Sequence, residues 1–201
     1  MGRRFTRLDA LLVALPWLLF AVPFQLARPR LVEAMSAVSI LLALGVLATG
    51  RASISLKGIR WVPYSLGSAV ALYLVFLAGG VFARTTGMWW QVEAVYSSVR
   101  PGALQLAGVF FLGLAEEVYW RGYVQGYVVK RVLGKGWWLS TVPYSLVHFV
   151  SGMPLLILAA IPVGLIFGLV AERAGVVASG LGHSLWLYLV LYVLPVTVVL
   201  S

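Results

Sequence analysis

Four ionisable side chains lie in apolar stretches where no loop or surface role accounts for them: Glu116, Glu117, His148 and His183. The chain of 201 residues has only six acidic residues and two histidines, so both histidines belong to this set. A charged group at the centre of a bilayer costs about 2.5 to 3.5 kcal/mol on insertion scales, and a lone histidine there is most simply polar glue between helices. Two glutamates and two histidines on three separate segments point instead to a shared site. The chemistry open to them is hydrolysis by an activated water, with Glu116 and His148 orienting and deprotonating the water and His183 donating to the developing oxyanion. A thiol nucleophile is excluded because the chain has no cysteine. A serine triad is disfavoured because the single aspartate, Asp9, lies near the N-terminus. The two histidines of an H-E-x-x-H zinc motif do not occur on one helix. A metal held by Glu and His remains open in composition but is not favoured, and no other cofactor is expected.

Spacing refines these roles. Glu117 and Arg121 are four residues apart and share a helix face, whereas Glu116 is rotated from Glu117 by about 100°. The expectation is that Arg121 pairs with Glu117 and leaves Glu116 to act as the general base. Tyr144 and His148 are one turn apart, so the ring or a nearby hydrogen bond can set the orientation of the imidazole. His183 follows Ser179 and Gly175 at one-turn intervals. That face of small residues permits close helix approach, as do Ala160, Gly164 and Gly168 on the preceding segment and Gly122 and Gly126 after Arg121.

The elements that must hold these groups are membrane helices. Hydrophobic residues make up 62% of the chain and charged ones 10%, against about 25% charged in an average soluble domain. Apolar runs long enough for a hydrocarbon core of about 30 Å fall at roughly Asp9 to Ala27, Leu31 to Thr49, Trp61 to Ala83, Pro101 to Tyr123 with helix continuing to Val129, Leu155 to Ala171, and Val176 to Leu200. A shorter run, Trp137 to Ser151, is shielded by its neighbours or partly re-entrant. The stretch from Arg84 to Arg100, with Met88, Trp89 and Trp90, suits an interfacial segment. The reading is an all-α, polytopic transmembrane helix bundle of about seven spans, a single membrane domain over 1–201 whose residues 101–201 carry the site motifs.

The net charge of +9 follows from orientation in the bilayer. Arg3, Arg4, Arg7, Arg51, Lys57, Arg60, Arg121, Lys130, Arg131, Lys135 and Arg173 belong to one set of span ends, and Arg28, Arg30, Arg84 and Arg100 to the other. Under the positive-inside rule the N-terminus is cytoplasmic and, with seven spans, the C-terminus lies outside. No cleavable signal peptide is expected, since the first run is long and interrupted by Pro16 and Pro23. The basic residues are scattered rather than gathered on one face, which argues against nucleic acid as a partner. The partners expected are the lipid bilayer and a peptide or membrane-protein substrate.

The ordered motifs resemble a known family. Glu116-Glu117-Val118-Tyr119-Trp120-Arg121 is an E-E-x-x-x-R motif, Tyr144 to His148 is similar to F-x-x-x-H, and His183 follows as a later intramembrane histidine. Together they resemble the CAAX prenyl endopeptidase and bacteriocin-processing family of intramembrane glutamic proteases, also called the ABI family. Gly164, Phe167, Gly168, Arg173 and Gly175 resemble its closing segment. The resemblance covers roughly Gly108 to Leu187. It implies an intramembrane endopeptidase in which Glu116 and His148 activate water, His183 helps stabilise the oxyanion, and Glu117 and Arg121 support the site. Two positions depart from the pattern. Tyr144 stands for the usual Phe, and Leu187 stands where the last motif has Asn or Asp. The indole N–H of Trp186 is a candidate replacement donor. The alternative is a non-catalytic membrane scaffold or immunity protein of the same fold, supported by Leu187. A proton-coupled carrier is less favoured, since no matching pair of broken-helix halves is evident. Substrate is expected to reach the site from the membrane or its cytoplasmic edge.

Overall fold

In the computed structural model, residues 4–201 are described and are mostly helical, with no strand among them. Arg3, one of the basic residues assigned above to the N-terminal end, lies outside the described residues. The first helix, α1 (Arg7–Leu19), starts at a capping box in which Thr6 and Asp9 bond reciprocally, satisfying two otherwise orphaned amide donors. It passes through a wide turn at Val22–Leu26, where Pro23 removes an amide donor. Helices α2 (Leu31–Ala48) and α3 (Trp61–Thr85) follow, and a short helix α4 (Trp89–Tyr96) occupies the stretch read as interfacial. Helix α5 (Ala103–Glu117) continues without a break into wide π-type turns over Val118–Val132. The segment 137–151 combines tight turns with a short helix α6 (Thr141–Leu146). Helix α7 (Pro154–Ala174) and helix α8 (Val176–Tyr188) are joined at Gly175. After a further wide turn at Leu189–Val193, Pro195 interrupts the helix and a last turn α9 (Val196–Val199) ends the chain.

Among the described residues, five helical segments are long and apolar enough to cross a membrane: Arg7–Leu26, Arg28–Ala48, Gly58–Thr85, Pro154–Ala174 and Val176–Val193. The estimate of about seven also counted α5 with its continuation and the 137–151 segment. These two do not meet the criterion of length and composition. The first contains Glu116, Glu117 and Arg121, and the second is short. Both nevertheless run between the two ends of the bundle. One end is tied by Lys57 Nζ to the Glu172 carbonyl, Lys130 to the Glu172 carboxylate and Arg51 to Asp9. The other is tied by Gln25 to the Val150 carbonyl, Gln91 to the Leu155 amide and Tyr96 to the Val190 carbonyl.

Helix α8 is central, packing on α3, α5 and α7, and α2 packs on α5. The small residues explain this crowding. A Cβ on Gly113 of α5 would stand 2.5 Å from the Ser184 backbone nitrogen, and one on Gly182 would stand 2.5 Å from Ser68 Oγ of α3. The Ser184 hydroxyl then reaches the Phe110 carbonyl and the Ser65 hydroxyl the Ala178 carbonyl, so polar atoms at these crossings are satisfied across the helices. Gly175, at φ +99° with the Ser55 carbonyl directly against it, permits a turn that other residues rarely adopt. The small face on α7 behaves as expected, with Gly164 against Thr141 and Gly168 against Trp137 and Gln125. Gly122 instead meets backbone of the α2–α3 loop at Ser53, whose amide donates to the Gly122 carbonyl. That bond falls within the widened part of the helix, where insertion of an outside partner accompanies departure from regular α winding.

Candidate active site

The site forms where α5, α6 and α8 meet in the interior. Glu116 and Glu117 end the regular part of α5, His148 follows α6, and His183 lies mid-way along α8. All four are buried, as are Arg121, Tyr144 and Trp186. Adjacent in sequence, the two glutamates have different environments.

Glu117 is fully enclosed and held on every side. Its Oε2 accepts from Arg121 Nε at 3.1 Å and from the Ser179 hydroxyl at 2.5 Å, and its Oε1 faces His183 Nδ1 at 3.1 Å. Arg121 also reaches Ser140 Oγ at 3.5 Å, and its guanidinium lies 5.0 Å from the centre of the Tyr144 ring. The i, i+4 pairing expected from spacing is therefore present, and a histidine and a serine from α8 join it. With its Nδ1 bound to the carboxylate, His183 keeps Nε2 for other partners. Phe167 of α7 stacks on its ring at 4.7 Å and 22°, which fixes the plane of the imidazole.

Glu116 borders a cavity of about 520 Å³, together with Tyr144, His148, His183, Trp186 and Leu187. Its Oε2 accepts a long bond, 3.5 Å, from the Tyr144 hydroxyl. The departure from phenylalanine at 144 thus places a hydroxyl beside the glutamate. Tyr144 orients His148 by the two routes considered from the sequence. Its carbonyl lies 2.9 Å from His148 Nδ1, and its ring meets the imidazole edge-on at 5.4 Å. A carbonyl can only accept, so Nδ1 carries the proton and Nε2 keeps its lone pair. Phe20 and Phe24 of the first span close on the same ring at 6.1 and 6.3 Å.

Trp186 packs edge-on against Phe76 and tilted against His183. Its indole Nε1 is buried without a hydrogen-bond partner. An unpaired buried donor costs roughly 1 to 3 kcal/mol, so a site that retains one beside a cavity has an idle donor to offer. Among the described residues, no group of three His, Asp or Glu side chains converges as a metal-ligand set would.

Several contributors were not singled out as site residues. By spacing alone Ser179 is a small packing residue, yet its hydroxyl donates to Glu117. Its position one turn before His183 was the available signal. Phe167 had no signal beyond its place in the closing segment. Gln125 and Ser140 extend the Arg121 network, with Gln125 Nε2 donating to the Gly168 carbonyl and the Ser140 hydroxyl reaching Gln125 Oε1. Gln125 lies one turn beyond Arg121, a spacing that could have marked it.

A polytopic helical membrane protein with a buried glutamate, arginine and histidine cluster beside a cavity is the class that this fold and site define. Residues 99–189 match the model of the family described as type II CAAX prenyl endopeptidase Rce1-like, so this stretch is similar to the CAAX endopeptidase family that the motifs resemble. The matched stretch contains all seven candidate site residues, and it supports a CAAX protease-type enzyme in general. No curated protein and no solved structure matches the chain.

Proposed function

We propose that this chain is an intramembrane endopeptidase that hydrolyses a peptide or membrane-protein substrate with a water activated by Glu116 and His148. The observation that carries the reading is the division of labour between adjacent glutamates: Glu117 is consumed by Arg121, Ser179 and His183, whereas Glu116 borders the cavity with both histidines. In this mechanism the water is held between Glu116 and the lone pair of His148 Nε2. It loses a proton as it attacks the scissile carbonyl, and that proton passes to the amine as the C–N bond breaks. The oxyanion is met by His183, whose Nδ1 is anchored on Glu117, and by the Trp186 indole N–H. Arg121 and Glu117 hold His183 in place, and Tyr144 positions both Glu116 and His148. No metal or other cofactor takes part.

The test is reconstitution with a peptide library, comparing wild type with Glu116→Ala and His148→Ala. Each substitution is expected to lower turnover by about 10²- to 10⁴-fold, the range of a lost general acid–base group. Cleavage that survives both would overturn the mechanism. Absence of cleavage by wild type would favour the non-catalytic scaffold or immunity reading, for which Leu187 on the cavity wall is the supporting observation.

A further inference from the structure

The cavity extends from the site toward one end of the bundle only. Its walls beyond Glu116 come from the last turns of α3 at Gly79 and Phe82, from α4 at Val92, from the first turn of α7 at Leu156, and from the turn after α8 at Leu191. These are the same ends that Gln91 and Leu155, and Tyr96 and Val190, tie together. At the opposite end the bundle is shut. Val170 and Ala174 of α7 and Ala178 of α8 form a separate apolar cluster there against Trp61 and Tyr64 of α3. That closed end carries the Arg51–Asp9 and Lys130–Glu172 pairs, and Arg4, Arg7, Lys57, Arg60, Arg131, Lys135 and Arg173 belong to it by chain position. Among the described residues, the open end has only Arg28, Arg30, Arg84 and Arg100.

Such an excess of Lys and Arg marks the cytoplasmic side of a membrane protein. We infer that the site is reached from the extracytoplasmic side, and that its substrate is an apolar polypeptide segment presented from that half of the membrane, such as the outer part of a membrane span. The walls favour such a segment, being apolar except for the site groups at the floor, Gln91, whose Oε1 is taken by the Leu155 amide, and Tyr96, whose hydroxyl is taken by the Val190 carbonyl and the Val196 amide. Of the two routes expected from the sequence, the membrane and its cytoplasmic edge, this inference keeps the first, because the basic end is where α3, α7 and α8 close. The route follows from the cavity and the charges, whereas the substrate class rests on the endopeptidase reading above.

The absence of native cysteine makes the route directly measurable with a membrane-impermeant maleimide on intact cells. Val92→Cys and Leu156→Cys report from the cavity, Thr86→Cys from the outer turn and Lys135→Cys from the basic end. The cavity and outer-turn thiols are expected to react in intact cells, and Lys135→Cys only after permeabilisation. Two independent cavity positions guard against one variant failing to fold. Reaction of Val92→Cys and Leu156→Cys only after permeabilisation would overturn the route. A pair of single-span reporters, with the cleavable stretch in the outer or the inner half, then tests the substrate class. Cutting of the outer-half reporter alone, lost in Glu116→Ala, is the expected result, and cutting of the inner-half reporter alone would overturn it. Outside labelling with neither reporter cut would count against endopeptidase activity while leaving the route standing.

Discussion

In the proposed mechanism, the residues of the site divide into groups that bear on substrate and groups that hold them. Trp186 is the most specific case, because its buried Nε1 has no partner and its side chain lines the cavity. Trp186→Phe keeps most of the ring and removes the N–H. It is expected to lower kcat by about 10²- to 10³-fold with KM little changed, the signature of a lost oxyanion donor. Unchanged kcat would remove Trp186 from the mechanism. Adding Leu187→Asn to that variant is expected to restore part of the loss, since Leu187 lines the same wall and the amide brings back a donor. Glu117→Gln probes the supporting group. It leaves the Arg121 guanidinium buried without its counter-charge, and breaking a buried pair in this way costs about 3 to 5 kcal/mol. The expected readout is a lowered unfolding midpoint in detergent, with cleavage reduced even where the fold persists, because His183 loses its anchor.

At the scale of elements, the site depends on how closely α5 and α8 approach. Glu117 and His183 meet because Gly113 lets the Ser184 backbone lie where a side chain would otherwise be. Gly113→Ala places a methyl group 2.5 Å from that backbone nitrogen, and overpacking of this kind costs about 1 to 3 kcal/mol. The variant is expected to be less stable and less active, whereas Gly45→Ala on α2, where a Cβ meets nothing within 4 Å, is expected to change neither. Equal effects of the two substitutions would show that helix approach is not what sets the site. The wide turns after Glu117 belong to the same account. Departures from α winding concentrate at functional sites, and here they accompany a loop amide bonded at Gly122 and a string of buried rings at Tyr119, Trp120, Tyr123 and Tyr127.

For the whole molecule, the first and last described helices begin and end at opposite ends of the bundle. Arg7 begins α1 beside the basic end, and Leu200 packs at Gly80 near the cavity end. An odd number of crossings follows, in keeping with five apolar spans plus two passages enclosed by them. A reporter fused to the C-terminus that is active only outside the cytoplasm is expected to be active, and the same reporter fused before α1 silent. The opposite pattern would invert the orientation. Cleavage is also expected to persist after treatment with a divalent-metal chelator, and its loss and restoration by added metal would bring a metal into the site.

The sequence by itself determined the class of fold and the list of chemical groups. Hydrophobic runs in a chain with few charges leave little choice but membrane helices, and the scarcity of acids and histidines narrows the site to a few side chains. The pairing of Glu117 with Arg121 and of Tyr144 with His148 was legible because both are set by helical periodicity within one segment. Contacts between segments were not. That Ser179 and His183 engage Glu117, that Phe167 stacks on His183, and that Trp186 keeps an unpaired donor depend on which helix faces which. Uniformly apolar helices show little periodic signal of their facing sides. The direction in which the cavity opens was beyond the sequence for the same reason, since it arises from how α3, α7 and α8 close at one end and part at the other.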